Sequence, residues 1–158
     1  MILLDINPEE FFVGELQKAQ KEHSILIAKE LEYYLAQLLA SFAYPTSSYA
    51  NSSNIFETPL ALVHKRALES EPRDRIKLYR ELGDHSLYVG GFFSESLDKK
   101  VVGLDYYIAM GSAAYKSVSS LSSASQMESL YEKLSEEFDL LIYLLNQIAK
   151  EKPHESGA

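Results

Sequence analysis

Glu81 and His85 stand four residues apart, a spacing that puts two metal-binding side chains on one face of a helix. Helical bundles build di-iron centres from Glu-x-x-His pairs on two helices. The one such pair in this chain is Glu151…His154, which Pro153 interrupts, and Glu81 with His85 has no second pair to complete a cage. No metal and no cofactor is therefore expected. The chain has no cysteine, which removes disulfides, thiolate metal sites and cysteine nucleophiles together. It also contains no phosphate-cradling glycine loop, no Gly-x-Ser-x-Gly elbow and no dinucleotide fingerprint.

Arg80 and His85 are five residues apart, so on a regular helix they project about 140° from each other. Arg80 then falls on a wet face with Arg73, Lys77 and Asp84. His85 borders the apolar stripe of Leu78, Leu82 and Val89. A kink at Gly83 is needed to bring the two together. The basic stripe of Arg73, Lys77 and Arg80 reads first as a solvated face with Lys77–Glu81 and Arg80–Asp84 pairs. A docking patch for an acidic partner is its functional alternative. The Arg80-Glu-Leu-Gly-Asp-His85 spacing resembles the motif of the HEPN ribonucleases, small helical bundles that often dimerise. That resemblance implies an arginine and a histidine acting together on an RNA phosphate. Glu81 departs from the polar residue expected after the arginine.

Three longer stretches carry a second resemblance: Glu81 to Phe93, Asp105 to Tyr115, and Tyr34-Leu35…Leu38-Leu39…Phe42. Together they resemble an uncharacterised bacterial family of small helical proteins. The likeness spans most of the chain and implies a fold and a cytoplasmic setting, with no assigned reaction and no site.

The glycines in these stretches bear on packing. Gly83 and Gly90 share one face of their helix, and Gly111 and Ala114 share one face of the next. A glycine inside a helix costs about 0.5–1 kcal/mol relative to alanine, a cost that close helix packing offsets. The alternative use of such space is a ligand cleft, which Phe92, Phe93, Tyr106 and Tyr107 would line.

Helical periodicity organises the elements. Asn7-Pro8-Glu9-Glu10 is a helix start, with Asn7 as cap, Pro8 at the first position, Glu10 as a capping-box acid and Ile6 with Phe11 as a staple. The first helix runs to about Lys21. Ser24 is expected to open a second, which carries Ile27, Leu31, Leu35, Leu38 and Phe42 and stops by Pro45. Residues 44–54 read as a loop. Thr58-Pro59 opens a third helix to about Glu69, and Ser70-Glu71-Pro72 a fourth that weakens at Gly90-Gly91. A connection at 94–104 leads to a fifth helix that Asp105 caps and that ends near Leu121. A last helix runs from about Ser125 to Glu151. No stretch alternates with period two. The expectation is an all-α, single-domain bundle of about six helices over residues 1–152, with a frayed tail at 153–158.

At 158 residues with 46% hydrophobic content, the chain can bury a core without staples. Its net charge of −8 makes nucleic acid and anionic membranes poor partners. No run has the ~18 apolar residues of a membrane span, and the N-terminus is too short in apolar residues for a signal peptide. Cytoplasm follows as the expected location. Eleven tyrosines and no tryptophan are the unusual counts. From Phe138 onward the last helix is apolar around most of its circumference, so a homodimer through Leu140, Leu141, Tyr143 and Leu144 is expected, with central placement of the helix within the monomer as the alternative. The function that follows is a non-enzymatic interaction or regulatory protein, whose partner is a second copy or another protein. The HEPN-like nuclease using Arg80 and His85 and a small-ligand-binding module are the alternatives.

Overall fold

The computed structural model describes residues 7–43, 68–69, 71–97 and 103–151. All regular structure among them is helical: α1 (Pro8–Glu22), α2 (Lys29–Ala43), α3 (Pro72–Phe92), the single turn α4 (Ser94–Leu97), α5 (Leu104–Leu121), α6 (Ser125–Glu136) and α7 (Phe138–Glu151). The expected loop at 44–54 and nearly all of the expected third helix lie outside the described residues, as do Ile6 and the 153–158 tail.

α1 begins as its residues dictate. The Asn7 side chain accepts from the Glu9 and Glu10 amides at 2.8 and 3.3 Å, and both acids sit where the helix dipole favours negative charge. Its other end corrects the sequence expectation, because Ser24 does not open the second helix. Ser24 adopts a left-handed conformation with φ 55°, and two backbone bonds close a Schellman arrangement: Ile25 N–H to Gln20 O at 2.9 Å and Ser24 N–H to Lys21 O at 3.4 Å. A serine can cap a start or occupy the position just past an end, and local sequence does not separate the two. α2 starts at Lys29 after a short linker, and the Gln20 side chain accepts from the Ile27 amide at 3.0 Å to satisfy that linker.

The α1–α2 pair closes over a buried acid. Glu32 accepts from Gln20 Nε2 at 2.9 Å and from Gln17 Nε2 at 3.0 Å, with Lys29 Nζ at 3.7 Å. Two amide donors and a cation are what a buried carboxylate requires.

α3 and α5 make the most extensive pairing, α5 and α6 form an antiparallel hairpin, and α7 packs on α3 and α1. Glycines set the close contacts. A Cβ built on Gly83 would lie 2.5 Å from the Tyr115 ring, and one on Gly111 would lie 2.3 Å from Phe138 Cζ. Gly90 and Gly91 receive Ile142 and Leu145 of α7 in the same way. The glycines thus admit side chains of neighbouring helices, which is the packing use expected of them.

Two further boundaries differ from expectation. Gly103, not Asp105, is the residue preceding α5, and Asp105 sits in its exposed first turn. The expected last helix is two helices, broken at Glu137 with φ −104° and ψ 17°. No proline or glycine marks that break. Its cause is tertiary. Ser112 and Ser135 exchange reciprocal bonds, each Oγ donating to the other's carbonyl at 2.9 Å. One turn later Phe138 must enter the notch at Gly111. Among the described residues, no helix is long and apolar enough to cross a membrane.

Candidate functional site

Asp84 is the centre of the most unusual polar arrangement. Sequence periodicity placed it on the wet face with Arg80, yet it is 4% exposed. Its Oδ1 accepts from the hydroxyls of Tyr34 and Tyr115, each at 2.6 Å. Tyr131 donates to the Tyr34 hydroxyl at 3.0 Å. The rings meet edge-on: Tyr34 lies 6.1 Å from Tyr115 and 5.5 Å from Tyr131, near 90° in both cases. Tyr115 also lies 5.7 Å from Phe138. One carboxylate therefore ties together α2, α3, α5 and α6.

The electrostatics favour protonated phenols. Burial raises the Tyr115 pKa well above the usual phenol value, and the negative charge of Asp84 adds to it. Burial does the same for Tyr34, with Tyr115 and Asp84 contributing. Tyr131 is raised by burial, while its bond to Tyr34 and the nearby Arg80 guanidinium pull it back. The Tyr34 and Tyr115 hydroxyls are held as donors to a buried carboxylate and Tyr131 as a donor to Tyr34, so all three are disfavoured as nucleophiles at neutral pH.

An open groove of about 280 Å³ runs beside this cluster. Tyr34, Gln37, Leu38 and Ser41 of α2 form one wall, Arg80 and Asp84 of α3 the other, and Tyr131 of α6 lines it too. Ser41 Oγ donates to Leu38 O at 2.9 Å, which leaves its oxygen able to accept.

The structure separates several residues that sequence reasoning had grouped. Arg80 lines the groove and His85 does not. Phe92 and Phe93 join Tyr88, at 5.3 and 5.7 Å between ring centroids, and Tyr88 stacks on Phe42 at 4.2 Å. Tyr106 and Tyr107 meet each other edge-on at 6.1 Å, with Tyr107 buried. These four aromatics pack against the core. The Lys77–Glu81 pair forms at 3.9 Å. Leu141 and Leu144 are fully buried in the chain's own core, so they are not available to a second copy. Helix α7 spends that side on α3 and α1. Leu140 and Tyr143 remain at the surface, Leu140 partly covered and Tyr143 44% exposed. Among the described residues, no group of three or more histidines and acids could hold a metal.

Sequence reasoning missed the Asp84 cluster. Its hydrogen-bonded pairs are separated by 31 to 97 positions, and the sole signal was the tyrosine excess. No family model, curated protein or solved structure matches the chain, so Arg80, His85 and the groove stand on their geometry alone.

Proposed function

We propose that this chain is a non-enzymatic helical interaction protein that works as a homodimer, joined where the end of α1 meets α7. One observation carries the reading: large apolar side chains are brought to the surface at that end. Tyr143 is 44% exposed, and its ring meets His23 edge-on at 5.6 Å. Leu26, three residues beyond His23, is 89% exposed. An ordered aromatic at a surface loses little rotamer freedom on binding, which favours it as a contact residue. With a net charge of −8, two copies repel across most of their surface. An apolar patch is where they can meet. The cysteine-free composition supports placing this function in the cytoplasm.

Sedimentation equilibrium at micromolar concentration tests the proposal. The expected mass is twice that of the chain, and Tyr143→Glu with Leu26→Glu should return it to one chain with unchanged helical circular dichroism. A monomer mass for the unaltered protein overturns the reading, as does a dimer indifferent to both substitutions.

A further inference from the structure

The groove between α2 and α3 combines three properties. Its walls present donors: the Arg80 guanidinium and the Gln37 amide. It has an apolar part, made by Leu38 and the rings of Tyr34 and Tyr131. Its floor is rigid, because Tyr34 is fixed by Asp84 at 2.6 Å and by Tyr131 at 3.0 Å.

The charges indicate which ligand such a groove takes. Asp84 is nearly inaccessible, and its Oδ1 is occupied by two tyrosine hydroxyls. Arg80 is the one cation among the lining residues, and an arginine fork matches a carboxylate with two parallel bonds. Asp84 lines the same groove, but its carboxyl is buried beneath the tyrosine hydroxyls, so Arg80, which also reaches Tyr131, is the charge the groove offers to a ligand. Size narrows it further. About 280 Å³ lies just below the usual range of ligand pockets.

We propose that this groove binds a small monocarboxylate with an apolar body. Arg80 holds the carboxylate, and Leu38, Tyr34 and Tyr131 cover the body, with Gln37 donating at the rim. The site is independent of the α1–α7 surface, so either proposal can fail alone.

Benzoate is the probe, with benzamide as its neutral isostere and benzamidine as its cationic one. Titration is followed by amide chemical shifts on the full chain. Benzoate should shift the Gln37, Ser41 and Arg80 amides in a saturable manner, and neither isostere should do so at equal concentration. Arg80→Gln should weaken benzoate at least tenfold, and Arg80→Lys, which keeps charge but loses the fork, should fall between the two. Gln37→Glu, at an exposed position, should also weaken it tenfold by repulsion without disturbing the fold. The proposal is overturned if benzoate leaves these amides unmoved, if benzamidine binds as well, or if Arg80→Gln and Gln37→Glu bind like the unaltered chain.

Discussion

Gly83 and Tyr115 are in contact at a distance that leaves no room for a β-carbon. A Cβ on Gly83 would lie 2.5 Å from both Cδ1 and Cε1 of the ring. Tyr115 is wholly buried, and its hydroxyl is committed to Asp84, so the ring cannot swing aside. Gly83→Leu should therefore destabilise strongly, and even Gly83→Ala should lose about 1–3 kcal/mol as overpacking usually does. Thermal unfolding measures this. A melting temperature at or above that of the parent would reject the close-packing account.

Gly14 provides the contrast. It lies inside α1 on an exposed face, with nothing within 4 Å of a built Cβ. Glycine there carries only its entropic cost, so Gly14→Ala should stabilise by about 0.5–1 kcal/mol. Opposite signs at two helical glycines test whether space or propensity governs each site. A loss of stability at Gly14 would show that its surroundings are not open.

Ser24 should respond in the same direction for a different reason. At φ 55° it is the one described non-glycine residue with positive φ, and its Cβ crowds the following carbonyl at a cost of roughly 1–2 kcal/mol. Ser24→Gly relieves this, less the entropy that glycine gains in the unfolded chain, so a gain of about 0.5–1 kcal/mol is expected. Ser24→Val should lose stability, since a β-branched residue is least at home there. Thermal unfolding of the two variants checks both signs.

These residues also mark what the sequence makes legible. Apolar steps of three and four, Asn7-Pro8 and Glu71-Pro72 were enough for an all-helical bundle and for most boundaries, because those signals are local. Ser24 was misassigned because a serine suits either side of a helix boundary. Glu137 left no local trace, since the partners of the residues flanking it, Ser112 for Ser135 and Gly111 for Phe138, lie across the hairpin on α5. Asp84 was misplaced because a helical wheel assigns faces by angle, and a charged residue at the edge of a stripe looks wet until its partners are known. Those partners, Tyr34 and Tyr115, lie 50 and 31 positions away.

The Asp84 cluster makes alkaline stability the most direct test of the candidate site. The Tyr34 and Tyr115 pKa values are raised above the ordinary phenol value of about 10. In the unfolded chain these phenols lose their protons near pH 10, whereas in the folded chain they keep them. Over that window the folded state binds more protons, so its stability falls as pH rises. Stability should be flat with respect to these groups at neutral pH and should decline once pH passes about 10, continuing to fall toward the raised folded values. Asp84→Ala leaves two buried hydroxyls without their acceptor, and at about 1–3 kcal/mol for each unsatisfied group it should destabilise at neutral pH. It should also remove the charge that opposes phenolate, so absorbance at alkaline pH should reveal tyrosines ionising earlier in the variant than in the parent. Asp84→Asn separates the two effects, because the amide oxygen can still accept while the negative charge is gone. If urea unfolding of the parent shows no loss of stability between neutral pH and pH 11, or if both variants match it in stability and in tyrosine titration, the four-helix tyrosine cluster around Asp84 does not hold this fold together.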